Sequence, residues 1–279
     1  MKEFYNSITF DGNDYYMQSL KLKDFCGTAE TPFYLYDMNY IINKYERLKK
    51  CFPYEGVSIF YAMKANYNPH ILKIMKEHNF CLDTVSPAEV ILAGKIGFDA
   101  KNILFTANNM TDAEMQVVKE QGVLFNIDSL YRLEAFGAAY PGSEVCIRIN
   151  PDVVAGENEK VATAGALSKF GILLEDVGKA VEIARKYDLK VVGVHEHTGS
   201  GITDTGKVME SMMKLLEIIN PTDFPDLEFV DFGGGFKVPY EPDEKENDYE
   251  AFGRKALALF EEHCERYGKR DLYPRASHI

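Results

Sequence analysis

The feature that most constrains this 279-residue sequence is a regular alternation of short β-rich runs with helical segments, starting near residue 57. The runs are rich in β-branched and aromatic residues and lie at 57–64, 81–86, 102–108, 123–128, 144–150, 189–197 and 227–234. Between them are segments with apolar residues at helical spacing, such as 175–188, 204–220 and 249–267. Strands that alternate with helices in this way pair in parallel through crossover helices, which predicts an α/β fold.

The number of units predicts a (β/α)8 barrel of the TIM type that lacks a complete last strand. Such barrels need eight strands and about 250 residues, whereas the seven units leave only residues 270–279 for an eighth. Residues 32–37 form another candidate strand, which could close the barrel or belong to another sheet, and a helix over about 38–51 follows it. We expect an N-terminal strand and helix at 1–50 that packs on the barrel, and an incomplete barrel domain at 51–279.

Charge and cysteine content exclude several classes of function. The 31 Lys and Arg residues are outnumbered by 43 Asp and Glu residues, which gives a formal net charge of −12. Nucleic-acid binding depends on basic patches, and none is visible here. No stretch approaches the ~18 apolar residues of a membrane span, and the five cysteines include no Cys-x-x-Cys pair. We expect a soluble, cytoplasmic protein with reduced thiols, no nucleic-acid partner and no membrane association.

Lys64 ends the first β-rich run, in the sequence Ile-Phe-Tyr-Ala-Met-Lys at 59–64. In a parallel barrel the chemistry lies at the carboxyl ends of the strands. Burial there lowers the pKa of a lysine and makes its neutral amine a nucleophile. The alternative is a lysine whose stem lies along apolar surface while its ammonium reaches water.

Two histidines end the sixth run, in the sequence His-Glu-His-Thr-Gly-Ser-Gly at 195–201. Strand alternation places His195 and His197 on one face, where they could bind a metal ion. The other four histidines offer no third ligand, so we predict no metal site. The Gly-Ser-Gly sequence that follows instead favours an anion-binding turn around Ser200.

Three consecutive glycines end the seventh run, in the sequence Asp-Phe-Gly-Gly-Gly-Phe at 231–236. Glycines let the backbone approach an anion closely, and late-strand loops are the usual phosphate site of such barrels. Taken with Lys64 and His197, this loop predicts a site for pyridoxal phosphate (PLP): an amine that binds the cofactor, an imidazole that stacks on its ring, and turns that hold its phosphate.

The sequence resembles fold-type III PLP-dependent amino-acid decarboxylases from about residue 31 to residue 267, and within them the diaminopimelate decarboxylases. Five motifs in the family's order carry the resemblance: Tyr-Ala-Met-Lys-Ala-Asn at 61–66, Arg-Ile-Asn-Pro-Asp-Val at 148–153, Ser-Lys-Phe-Gly-Ile at 168–172, His-x-His-x-Gly-Ser-Gly at 195–201 and Gly-Gly-Gly-Phe at 233–236.

The resemblance implies a role for each matching residue. Lys64 would be the Schiff-base lysine and His197 the ring-stacking histidine. The phosphate would be bound by Ser200 and by Gly233, Gly234 and Gly235. Other positions near the cofactor are matched by Asp83, Glu89 and Arg148. Glu89 has a second possible role as a helix cap, because Ser-Pro-Ala-Glu at 86–89 predicts a capping box. Thr-Asp-Ala-Glu at 111–114 predicts another.

The implied reaction is loss of CO2 from the D-centre of meso-diaminopimelate to give L-lysine, a step of lysine biosynthesis. The alternatives are a decarboxylase for ornithine, arginine or carboxynorspermidine, and a catalytically inactive PLP-binding barrel. The family's Glu-Pro-Gly-Arg motif and its C-terminal β-domain have no counterpart here, so we expect a chain truncated at its C-terminus. We therefore expect PLP binding through Lys64 to be retained more readily than decarboxylation, and a family-type homodimer is an open expectation.

Overall fold

The computed structural model describes residues 2–5, 7–54, 56–155, 165, 168–241, 244–269 and 272–277. Its internal contacts divide the chain into two units, each of which is described separately below. The first comprises Met1–Lys50 with Val238–Glu246, and the second comprises Cys51–Lys237 with Asn247–Ile279.

The first unit contains a small antiparallel sheet that the sequence analysis did not predict. Its strands pair in chain order and are β1 (Lys2–Tyr5), β2 (Ile8–Phe10), β3 (Tyr15–Met17) and β4 (Leu20–Lys21). Helices α1 (Leu22–Cys26) and α2 (Met38–Cys51) follow, and α2 confirms the predicted helix.

The strand predicted at residues 32–37 is wrong. The segment is irregular and pairs with no strand of the described chain. Its aromatic side chains remain accessible, with Tyr34 89% exposed. A strand needs a neighbour for its backbone N–H and C=O groups, and β-propensity alone does not supply one.

The second unit is a closed barrel of parallel strands surrounded by helices. Its strands are β5 (Ser58–Ala62), β6 (Cys81–Thr84), β7 (Ile103–Phe105), β8 (Leu124–Ile127), β9 (Glu144–Asn150), a two-residue β10 (Ile172–Leu173), β11 (Lys190–His195), β12 (Phe229–Asp231) and β13 (Tyr273–Ser277). The barrel runs β5-β6-β7-β8-β9-β11-β12-β13 and back to β5, while β10 pairs only with β9. This confirms the (β/α)8 fold class and all seven predicted strands.

The prediction of an incomplete last strand is wrong. Strand β13 pairs in parallel with β12 through residues 273–275 and with β5 through residues 275–277. A five-residue strand suffices because its neighbours are short and each needs only three paired positions. No unpaired edge remains between β12 and β5.

The helices connect the strands. They are α3 (Pro69–Glu77), α4 (Pro87–Ile96), α5 (Asp112–Glu120), α6 (Leu130–Ala139), α7 (Val177–Lys186), α8 (Thr205–Ile218) and α9 (Tyr249–Tyr267). Two of them, α4 and α5, begin at the caps that the sequence predicts. The capping box of Thr111 and Glu114 is complete. At α4 only half of the box forms: Ser86 accepts from the Glu89 N–H, while the Glu89 carboxylate accepts from the Val85 N–H.

No helix in the described part of the chain is long and apolar enough to cross a membrane. None of the five cysteines, all of which the structure describes, forms a disulfide.

Candidate active site

The carboxyl ends of the barrel strands enclose a set of buried polar side chains. Asn126 on β8 and His195 on β11 approach within 2.8 Å, from Nδ2 to Nδ1, although β9 separates their strands. Two side chains on non-adjacent strands can meet only inside the barrel. Other buried polar groups of this barrel end include Asp83, Arg148 and Asp231 on their strands and Thr106 directly after β7. This polar layer lies at the end where barrels of this class keep their chemistry.

Lys64 lies in a 3-10 turn, Met63–Ala65, directly after β5. The residue is exposed, yet the protein around its amine lowers the pKa below that of a free lysine. The main cause is the loss of water around the amine, which the surrounding protein partly covers. The carboxylates of Asp83 and Glu89 oppose it, and the Arg148 guanidinium adds to it. A lowered pKa raises the neutral fraction of the amine, which is the form that attacks carbonyl carbons.

Asp83 on β6 is fully buried, and its pKa is raised to about 7. Burial is the main cause, and the nearby Asp231 carboxylate adds to it. A hydrogen bond with Thr106 and the cations of Lys64 and Arg148 act in the opposite direction. The carboxyl of Asp83 is therefore poised to gain or lose a proton near neutral pH.

Arg148 is the buried cation of this layer. Burial lowers its pKa to about 10, while Asp128, Asp83 and Asp231 counteract that effect. Its guanidinium carbon lies 4.8 Å from the centroid of the Phe170 ring. One of its N–H groups is 3.5 Å from the His197 carbonyl oxygen. Arg148 thus balances the carboxylates of the site, including Asp128, which accepts a 2.5 Å bond from Asn108.

His197 lies two residues beyond the end of β11 and is almost fully buried. Burial and the cations of Arg148 and Lys64 hold its pKa well below the usual histidine range, so the ring is neutral at neutral pH. The same is true of His195, whose Nδ1 faces Asn126. No group of three or more His, Cys, Asp or Glu side chains in the described chain is arranged to hold a metal ion.

The loops after β11 and β12 pack against each other through their backbones. A Cβ at Gly235 would lie 2.0 Å from the Gly199 carbonyl oxygen, and one at Gly233 would lie 2.5 Å from the Glu196 carbonyl oxygen. Both glycines have positive φ, +90° and +64°. The Ile202 N–H donates to the Gly235 carbonyl at 2.9 Å. Only glycine fits these two positions, and the turn lies directly against the His197 ring.

The structure brings most of the predicted site residues to this barrel end. One group surrounds Lys64, whose pKa is influenced by the charges of Asp83, Glu89 and Arg148. The second group is His197 with the glycine loop, Gly233, Gly234 and Gly235, which follows β12. Ser200 is exposed in the loop after β11, next to Gly199. The Glu89 carboxylate accepts a hydrogen bond from Val85 at the start of α4 and also interacts with the charge of Lys64. Its two predicted roles, in the helix cap and near the cofactor, are therefore compatible.

Glu196 lies on the opposite side of β11 from its two histidine neighbours. Its carboxylate accepts a short hydrogen bond from the Ser211 hydroxyl on α8, and its Oε1 has no hydrogen-bond partner in the described chain. Burial, reinforced by Asp231, raises its pKa to about 8. The backbone carbonyl of the same residue limits the space at Gly233.

We expect Glu196→Gln to stabilise the protein at alkaline pH. The folded protein keeps the Glu196 proton up to about pH 8, whereas the unfolded chain releases it near pH 4.5, so the folded state binds more protons between these values. Stability therefore falls as pH rises through this window. The variant removes that loss, and the gain should reach on the order of 5 kcal/mol above pH 8, since each unit between the two pKa values is equivalent to ~1.4 kcal/mol.

Urea unfolding at pH 5, 7 and 9 measures this effect. Glu217→Gln is the matched control, because Glu217 is an exposed carboxylate on α8, the helix that carries Ser211, and it should show no such trend. A Glu196→Gln gain that is equal at pH 5 and pH 9 would contradict the assignment.

Sequence motifs predicted only part of this site. Asn126, Thr106 and Asp128 belong to no motif, although all three are buried polar residues of the site. His195 was predicted only as a possible metal ligand, and Asp231 only as a residue that precedes the glycines. For Asn126, His195 and Asp231 the available signal was strand alternation, which places each of them on the same face of its strand as the residue two positions earlier.

The sequence of the barrel matches a known family. Residues 38–273 match the family described as pyridoxal-dependent decarboxylase, pyridoxal binding domain. A diaminopimelate decarboxylase of Methanothermobacter thermautotrophicus is 36% identical over 244 residues, covering 85% of this chain and 57% of that protein. One from Aquifex aeolicus is 32% identical over 255 residues, covering 88% and 60%.

A solved structure agrees. The crystal structure of diaminopimelate decarboxylase from Helicobacter pylori complexed with L-lysine has a TM-score of 0.80 and 27% identity, covering 92% of this chain and 65% of that one. The chain thus spans less than two thirds of the length of these proteins. Since the family match covers most of the sequence, this chain belongs to the pyridoxal-dependent decarboxylase family, whose pyridoxal-binding domain it carries.

Proposed function

We propose that this chain is the PLP-binding barrel of a decarboxylase that acts on meso-diaminopimelate and produces L-lysine. The observation that carries the proposal is the meeting, at one barrel end, of a lysine of lowered pKa with the buried His197 and a turn in which only glycine fits. The substrate is supported by the names of the relatives, which are diaminopimelate decarboxylases.

The residues present suit PLP in shape and charge. Three consecutive glycines carry no side chain that would shield their backbone from a phosphate, and the positive φ angles of Gly233 and Gly235 shape the turn. The neutral imidazole of His197 offers a flat face without a competing charge. Lys64 supplies the amine, and Asp83, with a pKa of about 7, supplies a carboxyl that can hold a proton at a nitrogen atom. Ser200 would add a hydroxyl to the phosphate contacts.

PLP, when bound, supplies an aldehyde that condenses with amines and a ring that accepts electrons from the bond to a departing carboxylate. In this chain, Lys64 would hold the cofactor through its amine, which must be neutral to react, and the lowered pKa favours that form. His197 excludes water from one face of the site because it is buried against the glycine turn. Arg148 supplies a positive countercharge to the buried carboxyls of Asp83 and Asp128.

The first experiment is titration of the full chain with PLP, followed by absorbance and by retention after borohydride reduction and denaturation. We expect one PLP per chain, covalently fixed after reduction. A chain that takes up no PLP would overturn the proposal.

The second experiment separates the substrates. Addition of meso-diaminopimelate to the PLP-loaded chain should change the cofactor absorbance at lower concentration than L-ornithine, L-arginine or carboxynorspermidine. CO2 release from the same four compounds follows turnover. A response to all four at equal concentration would favour the inactive PLP-binding barrel, and a preference for one of the other three would favour that decarboxylase.

Three further points remain predictions. A family-type homodimer is testable by sedimentation of the loaded chain. A cytoplasmic location accords with the absence of disulfides among the five described cysteines. The division into an N-terminal part at 1–50 and a PLP-binding barrel domain at 51–279 is testable by limited proteolysis.

A further inference from the structure

The strand that closes the barrel brings a charged side chain into its interior. In the register of the sheet, Arg275 on β13 lies beside Asp231 on β12. Its guanidinium carbon is 3.5 Å from the centroid of the Phe229 ring and 5.1 Å from that of Phe60. Both rings are almost fully buried. A guanidinium packed flat on an aromatic face gains cation–π attraction and loses freedom to move.

Asp231 connects this strand to the glycine turn. Its carboxylate is fully buried, and its Oδ1 accepts a 2.9 Å hydrogen bond from the Gly233 N–H. Gly233 has a φ of +64° and fits against the Glu196 carbonyl only because it has no side chain. The acceptor strength of Asp231 therefore bears directly on the conformation of the turn, since an ionised carboxylate makes the stronger bond.

The backbone of β13 supports the same turn. The Arg275 carbonyl accepts a 3.0 Å hydrogen bond from the Phe232 N–H, the residue between Asp231 and Gly233. Arg275 thus lies beside Asp231 and accepts from Phe232, the two residues that lead into the glycines.

Electrostatics couple Arg275 to this carboxylate. Burial lowers the pKa of Arg275, and Asp231 is the largest opposing influence. Asp231 in turn raises the pKa of Asp83 across the barrel. Two carboxyls in one buried layer compete for ionisation. The cations of Lys64 and Arg148 act on Asp83, and Arg275, on the neighbouring strand, favours the ionised form of Asp231.

We propose that Arg275 is a positioning residue for the glycine turn: it keeps Asp231 ionised as the acceptor of the Gly233 N–H and so fixes the turn that receives the cofactor phosphate. Arg275 acts through Asp231 and does not touch the cofactor itself. The proposal rests on the proposed function, because it assigns the glycine turn to the phosphate of PLP.

The competing interpretation is that Arg275 only fills the barrel interior beside Phe229. The two interpretations predict different effects on cofactor affinity. A filler affects stability and lowers affinity for any cofactor equally. A positioning residue affects the phosphate contact selectively, so PLP and pyridoxal, which lacks the phosphate, respond differently.

The experiment measures dissociation constants of PLP and pyridoxal, with Tm, for the full chain and four variants. Arg275→Met removes the charge and keeps much of the volume, and Arg275→Lys keeps the charge. Asp231→Asn removes the acceptor charge, and serves if Arg275→Met does not fold. Arg185→Met is the matched control, since it removes an exposed arginine that pairs with Asp223 at 3.0 Å.

We expect Arg275→Met and Asp231→Asn to weaken PLP binding about tenfold while pyridoxal binding changes less than about twofold. Arg275→Lys should restore most of the PLP preference, and Arg185→Met should leave it unchanged. Equal losses for both ligands, or none, in folded Arg275→Met or Asp231→Asn would overturn the assignment. Failure of the unsubstituted chain to bind PLP would instead overturn the proposed function.

Discussion

Lys64→Ala is expected to abolish the covalent retention of PLP and to weaken its binding about 100-fold, equivalent to ~2.7 kcal/mol. Lys64 is the amine at the end of β5, and its pKa is lowered by burial at the mouth of the barrel. Its removal eliminates the nucleophile while leaving His197 and the glycine turn to hold the cofactor non-covalently. The measurement is absorbance titration, followed by borohydride reduction and mass analysis of the peptide that contains residue 64.

The matched control is Lys169→Ala. Lys169 is also exposed, and its charge reaches the same site through Asp128, so the two variants remove the same charge from the same barrel end. The control should retain PLP after reduction. Retention of reduced PLP by Lys64→Ala at the level of the unsubstituted chain would contradict the role of Lys64.

The pH dependence of binding gives a second measure of the same amine. Covalent binding requires neutral Lys64, so it should rise with pH through the pKa of Lys64, which lies below the ordinary lysine value. The Asp83 carboxylate raises that pKa. We therefore expect Asp83→Asn to move the rise to lower pH. A shift to higher pH would show that Asp83 does not act on Lys64 through its charge.

Local patterns were sufficient to predict the regular elements of the barrel. The predicted run at 144–150 coincides with β9, and the helices predicted at 38–51 and 249–267 coincide with α2 and α9. In each case the residues that define the element, through their hydrophobic spacing and at its ends, lie within one continuous segment, so no distant partner is needed to predict it. The box of Thr111 and Glu114 is of the same kind, because both partners are three residues apart.

Elements whose formation depends on distant partners were less predictable. Residues 273–277 contain a proline and an arginine and have little strand character by themselves. They form β13 because β12 and β5 leave a gap between them. Residues 32–37 have strong strand character and no strand beside them among the described residues, and they remain irregular.

The candidate site divides in the same way. Lys64, His197 and the glycine turn follow strand ends and were found from their motifs. The pairing of Asn126 with His195 joins residues 69 positions apart in the chain, and no local pattern contains it. The link from Arg275 to Asp231 likewise requires the closed barrel, which the sequence analysis did not predict.

Gly235→Ala is expected to be the most damaging single-methyl addition at the site. The new Cβ would lie 2.0 Å from the Gly199 carbonyl oxygen and 3.0 Å from the His197 ring, at a φ of +90°. A backbone oxygen cannot rotate away as a side chain can, so the loops after β11 and β12 must separate. We expect a loss of about 4 kcal/mol in the free energy of unfolding, the upper range for a point substitution, and loss of PLP binding.

Gly122→Ala isolates the contribution of the clash. Gly122 has a φ of +70° in the turn after α5, and no atom lies within 4 Å of its built Cβ. The only cost of that substitution is the left-handed backbone conformation, which lowers the free energy of unfolding by about 1 kcal/mol. It should leave PLP binding intact. The difference between the two variants in urea unfolding therefore measures how tightly the two loops are held together. Equal losses would mean that the loops separate freely, in which case the glycine turn could not hold a phosphate in one position.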